Sequence, residues 1–134
     1  VKVVLDTNVL VSGLLKPKSK PAKIVRLIVQ GDLDIVINEH ILSEYYEVLR
    51  RPKFSFDLRD ADEVLEIFRL YGIRAPALLQ SMSLPDPNDT PFLEAAIAGQ
   101  ADVLITGNKR HFPKKCCKGI RVMTPSEFFE KAGM

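Results

Sequence analysis

A chain of 134 residues is long enough for one domain with a real core and too short for two. Its 46% hydrophobic and 27% charged residues fit a globular protein, and its apolar runs fall far short of a bilayer span, so no membrane partner is expected. A net charge of +2 does not by itself announce a nucleic-acid binder. No signal peptide precedes Asp6, and the adjacent Cys116 and Cys117 are poorly placed to bridge each other, which together predict a cytoplasmic setting.

Val3, Val4 and Leu5 form a short apolar run of the kind that makes a strand buried on both faces, and Asp6 stands where it stops. A helix is predicted from Val9 to Leu15, then a loop Lys16-Pro17-Lys18-Ser19-Lys20. Pro21 suits the first turn of a second helix that Gly31 ends. Leu33 to Ile37 reads as the second strand. Asn38 caps a helix that runs to about Arg51 before Pro52. Asp60 and Glu63 have the spacing of a capping box for a helix through Tyr71, closed by Gly72. The stretch from Ile73 to Leu84 reads as partly extended. A helix from about Asp89 to Ala98 follows, then strands Val103–Thr106 and Ile120–Met123. Thr124, Pro125 and Glu127 open the last helix.

Strands alternating with helices predict an α/β fold with a mostly parallel sheet of four or five strands, in one domain spanning residues 1–134. In such a sheet the strand C-termini share one edge, and ligands bind in the crevice beyond it. That rule sorts the acids. Asp32, Asp34 and Asp102 precede or start strands and belong to the opposite edge. Asp6, the segment Asn38–Glu44 and the segment Thr106–Arg110 belong to the crevice edge.

Glu44 lies on the border of the apolar face made by Ile41, Leu42, Tyr45, Val48 and Leu49; Glu47 points more directly to solvent. A solvated flank residue is the plain reading of Glu44, and a carboxylate leaning over the sheet edge the functional one. Asp89 falls in register with Phe92, Leu93, Ala96 and Ile97, either as a helix cap or as a buried acid in need of a partner. Asp86 is its rival, because Pro91 blurs the helix start. Thr106 and Asn108 add neutral oxygen donors. Clustered carboxylates repel, and a divalent cation relieves that repulsion; an all-oxygen donor set suits Mg²⁺ or Mn²⁺. His111, Cys116 and Cys117 lack the spacing of a zinc site. Asn8 stands where a haloacid-dehalogenase-type phosphatase has its second aspartate, and a receiver domain would want paired acids after strand one.

Asp6-Thr7-Asn8-Val9-Leu10, Glu44 in the following helix, Asp89 leading into Phe92-Leu93-Glu94-Ala95-Ala96, and Thr106-Gly107-Asn108-Lys109-Arg110-His111-Phe112-Pro113 together resemble a PIN domain. The likeness covers nearly the whole chain. It is strongest to the single-domain prokaryotic branch described as toxins of toxin–antitoxin pairs. It implies a three-layer α/β/α sandwich related to the flap-endonuclease fold, and a Mg²⁺- or Mn²⁺-dependent endoribonuclease acting on RNA. By the same resemblance Asp6, Glu44 and Asp89 are the metal-binding and catalytic acids. Asn8, Thr106 and Asn108 position water or ligand. Many members carry a fourth acid where this chain has Asn108, which keeps open a weakly active or inactive RNA-binding or regulatory protein on the same fold. An antitoxin protein is the implied partner.

Two basic segments suit contacts to RNA phosphates, Lys16, Lys18 and Lys20 on one side and Lys109, Arg110, Lys114 and Lys115 on the other. Ile67, Phe68, Leu70 and Tyr71 give the fourth helix more apolar surface than one packed face needs, which predicts a homodimer.

Overall fold

The structure is a computed structural model that describes residues 1–77 and 84–132. Its sheet has five strands: β1 (Lys2–Leu5), β2 (Asp34–Ile37), β3 (Ile73–Arg74), β4 (Val103–Ile105) and β5 (Arg121–Met123). Their order is β3-β2-β1-β4-β5, and every pair is parallel. The fifth strand is β3, the ordered start of the stretch read as partly extended. Residues 78–83 of that stretch lie outside the described residues.

Six helices flank the sheet: α1 (Thr7–Leu15), α2 (Lys20–Val29), α3 (Glu39–Leu49), α4 (Leu58–Tyr71), α5 (Thr90–Ala98) and α6 (Pro125–Ala132). This is the expected α/β/α arrangement. α1 and α2 form a close hairpin around Gly13. A Cβ at position 13 would stand 3.0 Å from Val25 Cγ2 and 3.1 Å from the Pro21 main chain, so a larger residue would push the two helices apart. α2 packs on α6, and α3 on both α4 and α5. No described helix is long and apolar enough to cross a membrane.

β1 sits at the centre with neighbours on both sides, and Val3, Val4 and Leu5 are fully buried, as a doubly covered strand demands. Leu5 is aligned with Ile105, and Ile105 with Met123, so the strand ends come level. Asp6 and Thr106 continue the ladder past those ends: Asp6 N donates to Ile105 O at 2.9 Å and Thr106 N to Met123 O at 2.9 Å. The sorting of acids by edge holds for Asp102, whose Oδ2 accepts from the main-chain N of Lys2 at 2.8 Å at the far edge.

The caps fall largely where the sequence puts them. Asn38 Oδ1 accepts from Ile41 N at 2.8 Å. Thr124 and Glu127 form a reciprocal capping box, with bonds of 3.0 and 3.2 Å. One start is corrected: α4 begins at Leu58, because Asp57 Oδ1 takes the N–H of Arg59 at 2.8 Å. Asp60 therefore lies inside the first turn, where its charge still favours the helix dipole. Phe68 is also reassigned. It is fully buried, edge-on to Tyr45 at 6.2 Å between centroids, and serves the domain's own core. Leu70 and Tyr71 remain exposed.

Candidate active site

Asp6 ends β1 and caps α1, and its carboxylate is almost wholly buried at the crevice edge. Thr106, the first residue beyond β4, donates its hydroxyl to Asp6 Oδ2 at 2.7 Å and accepts from Asn108 N at 3.1 Å. Burial pushes the Asp6 carboxyl above its usual range; the bonds from Thr106 and from the Thr7 main chain pull the other way. Thr7 opens α1 and donates its own hydroxyl to Glu44 Oε2 on α3. Tyr45, the next residue of α3, lies in the core and donates its phenol to Leu5 O at 2.5 Å. Burial and then the charges of Asp6 and Glu44 hold that phenol well above its ordinary range, so it acts as a neutral donor.

The third acid comes from a single 3₁₀ turn, Pro87–Asp89, that leads into α5. Asp86 caps this turn through Asn88 N at 2.9 Å and is half-buried, whereas Asp89 is buried. Burial raises the Asp89 carboxyl to about 6; the negative charge of Asp6 is the next cause, with Asp86 and Glu44 adding and His111 opposing. His111 Nδ1 stands 3.0 Å from Asp89 Oδ2, within ion-pairing distance, though no hydrogen bond forms between them. Asp89 Oδ2 is thus a buried oxygen with no hydrogen-bond partner. Orphaned buried oxygens of this kind are rare and mark places where a ligand or ion is missing its counterpart.

Asp6, Glu44, Asp86 and Asp89 line one open cavity of about 500 Å³, together with Asn8 and His111. Both candidates for the third acid therefore face the same space. In their present positions no three His, Cys, Asp or Glu side chains among the described residues form a metal-binding group. The donor chemistry nevertheless fits a hard divalent cation: oxygen ligands, burial and then neighbouring negative charge that raise Asp89, and one buried oxygen that accepts no hydrogen bond.

Asn108 departs from its expected place. Its side-chain oxygen accepts from Arg110 N at 3.2 Å and caps the 3₁₀ turn Lys109–His111, so the amide does not line the carboxylate cavity. Thr106 is likewise fully occupied, as the hydroxyl that orients Asp6. Asn8 is exposed on the cavity wall.

Three residues join the site that sequence reasoning passed over. Glu47 is largely exposed, as its helical angle predicts, yet it also lines the cavity, and Arg51, one turn on, lies 3.5 Å from Glu47 and lines it too. His111 lacks the spacing of a zinc ligand and has no nearby serine or cysteine nucleophile pattern, yet it lines the cavity. Its position, five residues beyond Thr106 on the crevice edge, was the available signal.

The basic segments meet at the start of α6. Lys20 Nζ lies 3.3 Å from Ser126 Oγ, and Lys109 Nζ 3.2 Å from Glu127. Lys16, Lys18, Arg110, Lys114 and Lys115 are exposed.

Comparison with known proteins bears on the family and the fold. The uncharacterized protein MJ1680 of Methanocaldococcus jannaschii is 28% identical over 142 residues, spanning 98% of this chain and 91% of that protein. A chain in the crystal structure of VapBC2 from Rickettsia felis, bound to a DNA fragment from their promoter, superposes with a TM-score of 0.58. That match has 22% identity and covers 91% of this chain and 97% of the other, a likeness of fold. The family model described as PIN domain matches residues 2–110, and the chain belongs to the PIN domain family, whose members are in general nucleases.

Proposed function

We propose that the chain is a Mg²⁺- or Mn²⁺-dependent endoribonuclease that hydrolyses single-stranded or structured RNA, and that it serves as the toxin of a toxin–antitoxin pair. The observation that carries this reading is the cavity shared by Asp6, Glu44 and Asp89, with Asp89 Oδ2 buried there and accepting no hydrogen bond. These three acids would hold the ion, with Asp86 as the further carboxylate on the same wall. When bound, a divalent ion acidifies water and offsets negative charge on the phosphoryl oxygens.

The chain's own groups supply the rest. Thr106 keeps Asp6 oriented and favours its charged form; Thr7 does the same for the direction of Glu44. Asn8 offers an exposed amide at the cavity wall to orient water or a phosphate oxygen. Lys16, Lys18 and Lys20, and Lys109, Arg110, Lys114 and Lys115, would hold flanking phosphates. Their joint approach to α6 supports one continuous track.

The test is RNA cleavage with Mn²⁺ by the wild-type chain and by Asp6→Asn. Loss of cleavage in the variant supports the assignment; undiminished cleavage would trace the activity to a contaminant.

A second reading, a weakly active or inactive RNA-binding regulator, is favoured by one observation. Asn108 replaces an acid and turns its amide into a backbone cap. Metal-stimulated turnover on single-stranded RNA excludes that reading, and tight binding without turnover supports it.

An antitoxin protein is the proposed partner, supported by the likeness of fold to a chain of the VapBC2 complex. A homodimer is proposed through Leu70 and Tyr71, the exposed apolar end of α4. The free cysteines fit the reducing cytoplasm proposed as its location.

A further inference from the structure

We propose that the groove along β5 is a binding subsite for a nucleotide of single-stranded RNA next to the cut. This rests on the endoribonuclease reading above and extends it to the apolar lining of the groove, Arg121 and Lys131, which that reading does not use. The groove holds about 490 Å³, within the range of pockets that enclose a small organic ligand. Its floor is apolar, built from Phe112, Pro113, Ile120, Val122 and Met123. Its rim carries Lys109, Lys114, Arg121 and Lys131 against a single acid, Glu127.

The charges on that rim are not balanced from within. Glu127 is already committed to Lys109 at 3.2 Å and to the main chain of Thr124 at 3.0 Å. Among the described residues, Lys114, Arg121 and Lys131 have no carboxylate within ion-pairing distance. An apolar floor under three uncompensated cations matches a base with its phosphate: the ring covers the floor and the anion takes the rim.

The groove also lies in the right place. The 3₁₀ turn Lys109–His111 is the wall between it and the carboxylate cavity. Lys109 lines the groove, and His111, two residues on, lines the cavity. A strand of RNA crossing that turn would set one phosphate over the acids and the adjoining nucleotide over Pro113, Ile120 and Val122, the partly exposed part of the apolar lining. Arg121 and Lys131 stand at the start of β5 and the end of α6, so cations continue toward the far edge of the sheet. An acidic peptide laid along β5 is the competing occupant; the shared wall with the acids favours RNA.

The experiment uses the full chain in EDTA, where no turnover is needed. Fluorescence anisotropy with a labelled ten-nucleotide oligouridylate compares wild type with the double variant Arg121→Ala/Lys131→Ala. Both side chains are exposed, and a melting curve checks that the fold is kept. The expected result is an affinity loss of about tenfold and a salt dependence shallower by about two phosphate contacts. A 4-thiouridine-bearing oligonucleotide should crosslink within residues 109–123.

Unchanged affinity in the double variant, or crosslinks only outside residues 109–123, overturns the proposal. An acidic peptide that binds wild type but not the double variant, with RNA binding unaffected, gives the groove to a protein partner and also overturns it. Failure of the Asp6→Asn cleavage test strikes the nuclease reading alone, because the binding measurement does not depend on it.

Discussion

The phenol of Tyr45 donates to the main-chain oxygen of Leu5 at 2.5 Å, tying the middle of α3 to the residue just before Asp6. Glu44 precedes Tyr45 as Asp6 follows Leu5, so one buried bond sets the spacing of two acids. In Tyr45→Phe that bond is lost inside the core, at a cost of about 1–2 kcal/mol and a few degrees of melting temperature. Differential scanning calorimetry reads the stability. Mn²⁺ titration should show weaker binding than the stability loss alone explains, because the acids lose their common anchor.

Thr106 acts on Asp6 through a hydrogen bond to the charged carboxylate. Thr106→Val keeps the shape and removes the donor, so the Asp6 carboxyl should rise further. The acid limb of the cleavage pH profile should then move to higher pH, and Thr106→Ser should restore it. A variant that merely loosened the fold would lower activity at every pH alike.

Asp89 makes the unliganded protein sensitive to pH, and the sign follows from the raised carboxyl. A group held at about 6 in the fold, against 3.8 as its ordinary value, favours the protonated form when folded. Its stabilising contribution is complete below about 4 and is lost as pH rises through about 6. Wild type in EDTA should therefore melt lower at pH 7.5 than Asp89→Asn, and the gap should close toward pH 4. Excess Mn²⁺ should raise wild type and leave Asp89→Asn nearly unmoved. Equal melting of the two proteins at pH 7.5 would contradict the burial and repulsion described at this residue.

The capping box of α6 gives a prediction free of the acids. Thr124→Ala removes the acceptor for Glu127 N and should cost about 1 kcal/mol. Glu127 also holds Lys109, so loosening the helix start should weaken RNA binding in the same variant.

Tyr71→Asp places a charge on the exposed end of α4. Light scattering should report two chains for wild type and one for the variant. A single chain in both would remove the homodimer from the reading.

The fold was legible wherever the sequence carried a period or a stop. β1 and β4 hold short apolar runs rich in β-branched residues, and the Thr124, Pro125, Glu127 sequence announces α6 outright. β3 was blurred because two residues, Ile73 and Arg74, hold no alternation to read; their pairing with β2 makes the strand. The edge rule pointed to Asp6 and to the segment that holds Glu44, and the apolar stripe of α5 pointed to Asp89 with Asp86 as its rival; all four acids line one cavity. Helical angle placed Glu47 toward solvent, where it lies, but angle alone says nothing of Asp86 and Asn88, which line the same cavity from another segment. Asn108 illustrates a different limit. An asparagine just after a strand can face a ligand or cap the next turn, and only the local backbone, with Arg110 N within 3.2 Å, decides for the cap.

β1 lies at the centre of the sheet, and Asp6 N is bonded to Ile105 O across the ladder. In deuterium exchange that amide should be among the slowest in the chain, opening only when the whole domain opens. Asp89 hangs on one 3₁₀ turn beside residues outside the sheet, and its amide, bonded to Asp86 O at 3.1 Å, should exchange far sooner. The two acids are therefore held with unequal firmness. Ion capture should register as slowed exchange around residues 86–90, with almost no change at the rigid acid opposite.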